Sequence, residues 1–533
     1  MNCYITDDNK FLVLDISETT NVFRGALKKY FTREYKNAFM IRQYNPYAIT
    51  EEEFIAIQAN EAFLPVGLWV ELVNFCNEND IDLYFQFDIN EKIKTGFDEK
   101  EFLKFIDEWF DGAQLPNGKK FYPYKHQLEA VASLLKYKKA SISVATGGGK
   151  TLIMYILFVY IKFHLKDTGF VIFTPSTDLT KQACNEFQEY HKFCSATNEK
   201  PDFTYSTFYT GSKNTKLDVD IKFGNYQSLT KMGSKFYEGV HYVFGDEIHH
   251  VSAKSVRTII QKAQDAKCTF GVTGTFPKEG TFDNYIAQSF IGPVVYVLSS
   301  YDMININKTA CPVYVIQTEL QYHDLETMDH LWKLRCNKTP YDIDEGRALK
   351  EMEQTYIRNY KPRLDTIVDL VDRFDKNTLI MFTDIKNGYG KTLVKELRKQ
   401  TEKRVYYVDG NTSSKDRDFY IKEMEEDDEE NTIIVASIGT FGEGISIKRL
   451  WYIFLVETTK SDRIIAQMLG RGMREFPGKD CVLFFDIRDN LNYGEGSYTK
   501  KTCYMMKDAA ERDKTYRERR FPIHKKVIDV QHY

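Results

Sequence analysis

The chain has 533 residues, enough for two to four domains, and 43% hydrophobic with 14% aromatic content, ample for buried cores. Its net charge of −4 gives no global support for nucleic-acid binding, and its nine cysteines are scattered without CxxC spacing, which argues against a zinc site. The start, Met1-Asn2-Cys3-Tyr4, lacks a basic leader and the most apolar stretch, Leu152 to Phe163, is too short for a bilayer, so a soluble protein of a reduced, cytoplasmic compartment is expected.

In chain order, residues 1–112 read as a small mixed α/β unit. Phe11-Leu12-Val13-Leu14 and Asp82 to Phe87 suit strands; Leu68 to Asn79 and Glu99 to Phe110 suit helices. Residues 1–100 carry 10 Lys+Arg against 17 Asp+Glu, so this unit is no simple basic clamp. Gln114 to Lys120, with Pro116, Asn117 and Gly118, reads as a linker. Residues 113–300 then alternate strand and helix: Ser141-Ile142-Ser143-Val144, a helix from Thr151 to Leu165, Phe170 to Phe173, Tyr242-Val243-Phe244 and Thr269 to Val272. Residues 301–533 contain a second series, with Leu379 to Phe382, Val405 to Val408, Ile433 to Ala436, Tyr452 to Leu455 and Val482 to Phe485. Two successive βα series imply two doubly wound parallel-sheet domains. Tyr341 to Tyr356 reads as a bridging helix, and the acidic run Glu425 to Glu430 as a solvated loop. The tail from Arg512 to Lys526, with Arg517, Arg519, Arg520 and Lys525, reads equally as a solvated helix or as a surface for a nucleic-acid backbone.

Ala145-Thr146-Gly147-Gly148-Gly149-Lys150-Thr151 lies between a strand and a helix. Such a glycine run turns backbone N–H groups onto an anion at the helix N-terminus. Lys150 is placed to reach β- and γ-phosphates, and the Thr151 hydroxyl suits magnesium. Val144 stands where the usual pattern has its first glycine, but the strand–turn–helix context disfavours a chance Gly-Lys-Thr. Asp246-Glu247-Ile248-His249 follows the strand at Tyr242, so its carboxylates fall at the edge where open parallel sheets bind ligands. Asp246 is expected to position Mg²⁺ and Glu247 to polarise the attacking water. His249 and His250 are adjacent, and adjacent side chains rarely share a metal. The pair of motifs predicts ATP hydrolysis.

Further segments follow in order: Thr174-Pro175-Ser176 with Gln182, Gln227-Ser228-Leu229, Thr273-Gly274-Thr275, Ala436 to Ser446, and Gln467 to Arg474. This order resembles the superfamily 2 helicases and translocases of the DExH type over residues 121–490, and the resemblance implies two tandem RecA-like domains with a small N-terminal α/β domain. It implies that Gln127 contacts adenine, that Gly444 belongs to the nucleotide site, and that Gln467, Arg471 and Arg474 form a QxxGRxxR motif whose arginines reach the γ-phosphate. It makes Thr174, Pro175, Gln182, Gly211, Gln227 and Ser437 candidates for the nucleic-acid backbone, with helix capping an equal reading for Gly211 and Gln227. His249, Thr273 and Thr275 are the candidates for coupling. Ser446 stands where many members carry aspartate, which puts one interdomain contact in doubt.

Phe63 to Trp69, Val73 to Cys76, Asp88 to Lys92 and Gly442 to Ser446 are also similar to a helicase subfamily of tailed bacteriophages. That resemblance implies branched or single-stranded DNA as partner (forks, D-loops, Holliday junctions, and RNA in R-loops), host-cell cytoplasm, single-strand-binding or recombination proteins as associates, and a substrate-engaging role for residues 1–112. The alternatives are an RNA helicase, a duplex translocase such as a restriction motor, or a nucleotide-switched scaffold. The intact Lys150, Glu247 and Arg471 count against the last.

Overall fold

Short, almost continuous apolar runs bounded by polar turns favour strands buried on both faces, and the chain uses them to build two parallel sheets. The computed structural model describes all residues except 36, 46, 249–252, 307–308, 323–342, 427–430, 442–446, 492–502 and 531–533. It divides into two compact units, Met1–Leu298 and Ser299–Tyr533.

The first unit opens with seven strands: β1 (Asn2–Ile5), β2 (Phe11–Asp15), β3 (Thr32–Glu34), β4 (Glu51–Glu53), β5 (Ala56–Gln58), β6 (Glu61–Pro65) and β7 (Tyr84–Phe85). Five of them form a mixed sheet of order β5-β6-β2-β1-β7, and β3 pairs with β4. Helices Trp69–Glu78 and Glu99–Trp109 match the expected ones closely. The second expected strand shrinks to Tyr84–Phe85, which pairs with Asn2 and Cys3 of β1. The expected linker instead closes into a tight hairpin. Gln114 and Lys120 bridge, Gly118 adopts φ 76°, and the Phe121 N–H donates to Ala113 O at 2.9 Å.

Seven further strands follow: β8 (Lys139–Val144), β9 (Phe170–Thr174), β10 (Tyr205–Phe208), β11 (Ile221–Asn225), β12 (Tyr242–Asp246), β13 (Cys268–Thr273) and β14 (Val294–Leu298). They form one sheet of order β10-β11-β9-β12-β13-β8-β14, parallel at every pairing. All the strand C-termini therefore lie along one edge. The helix after β8 runs Lys150–Val159 and changes pitch into a π turn, Tyr160–His164, instead of continuing to Leu165. The wider turn fans its aromatic rings onto the helix Glu99–Trp109, with Tyr160 on Phe102, His164 on Phe105 and Phe163 stacked on Trp109 at 4.9 Å.

The N-terminal sheet shares its core with the helix Phe282–Phe290, which follows β13. Tyr285 and Ile286 are buried among Leu12, Leu64, Leu72 and Phe75. Polar contacts fix the orientation. The Gln288 amide donates to the buried Glu71 carboxylate at 2.9 Å, and the Arg33 guanidinium lies 3.9 Å from the Tyr285 ring centre. Arg257, on the helix Ala253–Lys262, pairs with Glu52.

The second unit contains β15 (Val313–Gln321), β16 (Thr378–Phe382), β17 (Arg404–Val408), β18 (Thr432–Ser437), β19 (Tyr452–Leu455), β20 (Val482–Asn490) and β21 (Ile523–Asp529). Their order is β17-β18-β16-β19-β20-β15-β21, again parallel throughout. The two seven-stranded parallel sheets are the tandem RecA-like architecture expected, with the small N-terminal sheet beside the first. The helix expected from Tyr341 is seen over Ile343–Asn359, Tyr341 lying outside the described residues. Of the acidic run, Glu425 and Glu426 belong to the helix Ser414–Glu426, and 427–430 lie outside the described residues.

The basic tail, read equally as a solvated helix or a nucleic-acid surface, is only partly solvent-facing. It folds into the helix Tyr504–Glu518 and the edge strand β21. Arg512 is 1% exposed and, with Arg488, grips the buried Asp486 carboxylate, at 2.7 Å in each case. Burial would raise the Asp486 pKa, but the two guanidiniums more than offset it and hold the carboxyl below its usual range. Arg519 is half-buried, whereas Arg517, Arg520, Lys525 and Lys526 stay exposed. Among the described residues no helix is long and apolar enough to cross a membrane.

Gly67 is where the N-terminal sheet approaches the helix Phe282–Phe290 most tightly, since a Cβ there would lie 1.9 Å from the Gln288 carbonyl oxygen. Gly67→Ala should cost about 1–3 kcal/mol of stability through overpacking, measured by urea unfolding. A wild-type midpoint would show that this docking is looser than the structure indicates.

Candidate functional site

The phosphate loop owes its shape to three glycines. Gly147 and Gly149 adopt φ 89° and 79°, conformations other residues reach only with strain. Gly148 has a different reason: a Cβ there would lie 2.5 Å from Val144 Cγ1. Val144 is itself fully buried, so the residue that departs from the usual pattern forms the loop's floor. Gly149 caps the helix Lys150–Val159, whose first N–H groups face the loop without intrahelical acceptors.

Gln127 turns its amide to this loop. Its Oε1 accepts from the Tyr124 N–H at 2.9 Å, and its Nε2 donates to the Gly148 carbonyl at 3.3 Å. The resemblance implies an adenine contact for Gln127; here the amide holds the loop backbone. His126, which the sequence did not single out, contacts the same carbonyl through Nε2 at 3.3 Å. That contact requires a proton on Nε2, and burial pushes the imidazole pKa down, favouring the neutral ring. Only its place next to Gln127 at the helix start hinted at this.

Lys150 Nζ lies 3.1 Å from Glu247 Oε1, with both side chains mostly buried. The other carboxylate oxygen accepts from the Gly274 N–H at 3.1 Å and lies 3.3 Å from the Thr273 hydroxyl. Thr273 in turn accepts from the Thr275 N–H at 3.3 Å. Glu247 needs a left-handed backbone, φ 45°, to aim this way from the end of β12. The structure thus joins Lys150, Glu247, Thr273, Gly274 and Thr275 in one network.

Asp246, one residue earlier, is 7% exposed, and its Oδ1 has no hydrogen-bond partner. Burial, and then the adjacent Glu247 carboxylate, push its pKa up, and the Lys150 cation only partly offsets this. A buried carboxylate with an orphaned oxygen beside a second carboxylate is the environment a hard cation relieves. The donor set fits Mg²⁺, for which Asp246 and Thr151 are the candidate protein ligands. Thr146 and Gly274 lie against the same loop, a Cβ at Gly274 being 3.6 Å from the Thr146 hydroxyl.

The nucleic-acid candidates of this unit lie on the same sheet edge, beyond β9, β10 and β11. Thr174 and Pro175 are buried, and the Thr174 hydroxyl lies 2.7 Å from that of Thr180. Through that contact Thr174 shapes the turn into the helix Thr177–Cys194. Gln182 is half-buried and donates to Glu186 at 2.7 Å. Gly211 (φ 88°) and Gln227 are exposed.

In the second unit, the helix Asp462–Gly472 carries Gln467, half-buried, and Arg471, 6% exposed, with Arg474 two residues past its end. Gly472 permits this helix to lie on β20, since a Cβ would come 2.8 Å from Val482 Cγ1. Ser437 ends β18, is 1% exposed and donates to the Thr440 hydroxyl at 2.8 Å. His249, Gly444 and Ser446 lie outside the described residues.

Comparison with known proteins agrees with this construction. Residues 120–278 match the family model "Type III restriction enzyme, res subunit", and residues 362–475 match "Helicase conserved C-terminal domain". The chain is a superfamily 2 helicase, an ATP-hydrolysing enzyme of the DExH type. It resembles the ATP-dependent DNA helicase UvsW of Enterobacteria phage T4, with 25% identity over 476 residues, 88% of each chain. The crystal structure of T4 UvsW covers the whole of both chains at 21% identity with a TM-score of 0.46. The type ISP restriction-modification enzyme LlaBIII bound to DNA shares the fold, with a TM-score of 0.51 and 14% identity over 85% of this chain and 34% of that one.

Gly149→Ala would place a methyl group 2.1 Å from Gln127 Nε2 and strain the left-handed turn. It should weaken ATP binding at least about tenfold, or ~1.4 kcal/mol, in a fluorescent-nucleotide titration. An unchanged Kd would remove this turn from the nucleotide site.

Proposed function

We propose that this helicase uses ATP hydrolysis to remodel branched DNA such as forks, D-loops, Holliday junctions and R-loops, with residues 1–112 as the substrate-engaging domain. The carrying observation is the shared core between the N-terminal sheet and the helix Phe282–Phe290. That helix follows the Thr273–Thr275 segment, which is hydrogen-bonded to Glu247. A load on the N-terminal sheet therefore bears directly on an element next to the proposed catalytic carboxylate. The likeness to a phage DNA helicase over 88% of the chain supports DNA as the partner.

In the proposed cycle the loop N–H groups and Lys150 bind the triphosphate, drawing Lys150 away from Glu247. Bound Mg²⁺, held through Asp246 and Thr151, would neutralise phosphate charge. Glu247, still held by Gly274 and Thr273, orients and polarises the attacking water. Arg471 and Arg474 supply positive charge to the transferring phosphoryl group, a contribution of roughly 10³–10⁵ in turnover for related enzymes. Loss of the γ-phosphate ends that attraction, and the cycle of grip and release moves the strand. Phosphate contacts made by main-chain N–H groups and by the exposed Gly211 and Gln227 suit a track of any sequence. A duplex translocase is the second reading, favoured by the restriction-enzyme family match.

ATPase rates with no nucleic acid, single-stranded DNA, duplex DNA, forked DNA and structured RNA, beside a Lys150→Ala control, test the proposal. Forked DNA should stimulate most. Equal rates throughout would overturn the motor reading, and preference for linear duplex or for RNA would move the substrate accordingly. Glu247→Gln should bind ATP with wild-type affinity and lose turnover; retained turnover would remove Glu247 from its role.

A further inference from the structure

The arginine helix ends in an unusual way. A helix C-terminus leaves carbonyls without intrahelical donors, and here three successive ones are met from elsewhere in the second unit. Lys479 Nζ donates to the Gly472 carbonyl at 2.8 Å and to the Arg474 carbonyl at 2.8 Å. Between them, the Cys311 N–H donates to the Met473 carbonyl at 2.7 Å. The same ammonium reaches Lys448 O at 3.2 Å, and Lys448 is the second residue after the Gly442–Ser446 segment. A turn through Gly478, φ 79°, brings Lys479 back, closed by its N–H on Phe476 O at 3.1 Å. Lys479 is 8% exposed, and among the described residues no carboxylate pairs with it.

We propose that Lys479 is a positioning residue for ATP hydrolysis, its ammonium fixing the backbone that carries Arg471 and Arg474 and tying it to the Lys448 carbonyl. The inference rests on the assignment of those two arginines to the triphosphate. Arg474 stands past the helix end, where no helical hydrogen bond holds its carbonyl, and Lys479 supplies the bond instead. A cation at this end also suits the helix dipole. Displacing a charge-stabilising group by ~1 Å can cost ~10²-fold in rate, so holding the backbone matters to turnover more than to substrate binding.

Burial pushes the Lys479 ammonium down to about 8. Of the groups facing it, Arg474 pushes it further down, while Cys311, Glu425 and Cys481 act in the opposite sense. The Cys311 thiol is itself pushed up by burial to about 11, and Cys481 is raised for the same reason, so both thiols keep their protons where Lys479 titrates. The cation is present below about pH 8 and lost above it. Stability moves in the other direction: an unfolded lysine keeps its proton to 10.5, so this group's contribution to stability rises with pH across that interval. Lost turnover there is not unfolding.

The test is the fork-stimulated ATPase of the full chain, wild type beside K479M, K479R and R471A, from about pH 6.5 to about 9.5, with melting temperatures recorded throughout. Near neutral pH, K479M should lose about 100-fold in kcat with KM for ATP within about twofold. Wild-type kcat should fall as pH rises through about 8, and K479R should lack that fall. Wild-type kcat in a folded K479M overturns the proposal. Should K479M not fold, the wild-type profile decides, and a flat one overturns it. Wild-type turnover in R471A overturns the arginine assignment and the Lys479 role with it, whereas an impaired R471A beside an unimpaired K479M overturns the Lys479 role alone.

Discussion

The Glu247 carboxylate is engaged at both oxygens, and the rest of the first unit is arranged around that fact. Oε1 faces Lys150 at 3.1 Å, and Oε2 faces Gly274 and Thr273. Both partners of the ion pair are mostly withdrawn from water, so their attraction is weakly screened, and each charge would be costly to leave alone. A triphosphate tail is the natural competitor for Lys150. It brings several negative charges to a loop whose N–H groups already face outward, and its arrival frees one oxygen of Glu247 without breaking the other's hold. In the proposed cycle the resting pair keeps these two charges neutralised until nucleotide separates them.

The parallel sheet converts this local chemistry into geometry. With every pairing parallel, β8, β12 and β13 present the phosphate loop, Asp246 and Thr273 on one edge, and β9, β10 and β11 present the nucleic-acid candidates further along it. Thr174 and Pro175 are buried there, and the Thr174 hydroxyl turns inward to Thr180. Close contact also reaches outward: the helices that follow β12 and β13 carry Arg257, Tyr285 and Gln288, which fasten the N-terminal sheet.

Both parallel domains were legible in the sequence because their central strands are apolar runs too dense for a surface helix. Strands such as β10, β11, β15 and β21 escaped because they mix polar and apolar residues. In the first unit, the residues with fixed spacing were legible, the phosphate loop and Asp246-Glu247, which the Lys150–Glu247 pair joins. What was not legible depends on which way a side chain turns. Nothing in Tyr124-Lys125-His126-Gln127 indicates that both ring and amide fold back onto Gly148, nor does Thr174 announce that its hydroxyl points inward to Thr180. Lys479 was invisible for the same reason, since a lysine near a sequence turn is ordinarily solvated.

Buried arginines show why charge counts mislead in a chain of this kind. Arg512, Arg488 and Arg363 look like surface cations in the sequence, yet each lies in the core of the second unit. Arg363 spans both oxygens of Asp489, at 2.6 and 2.9 Å, and also meets Tyr389 and the Val456 carbonyl. Guanidinium planes suit this task because five fixed donors can satisfy a carboxylate and neighbouring carbonyls together. Asp486 and Asp489 lie on β20, so these pairs bind the central sheet to the helices Tyr504–Glu518 and Lys361–Asp372. Cations used in this way leave fewer for a basic face. That is consistent with a chain of net charge −4 gripping phosphates through backbone amides and a few placed side chains rather than through a broad positive field.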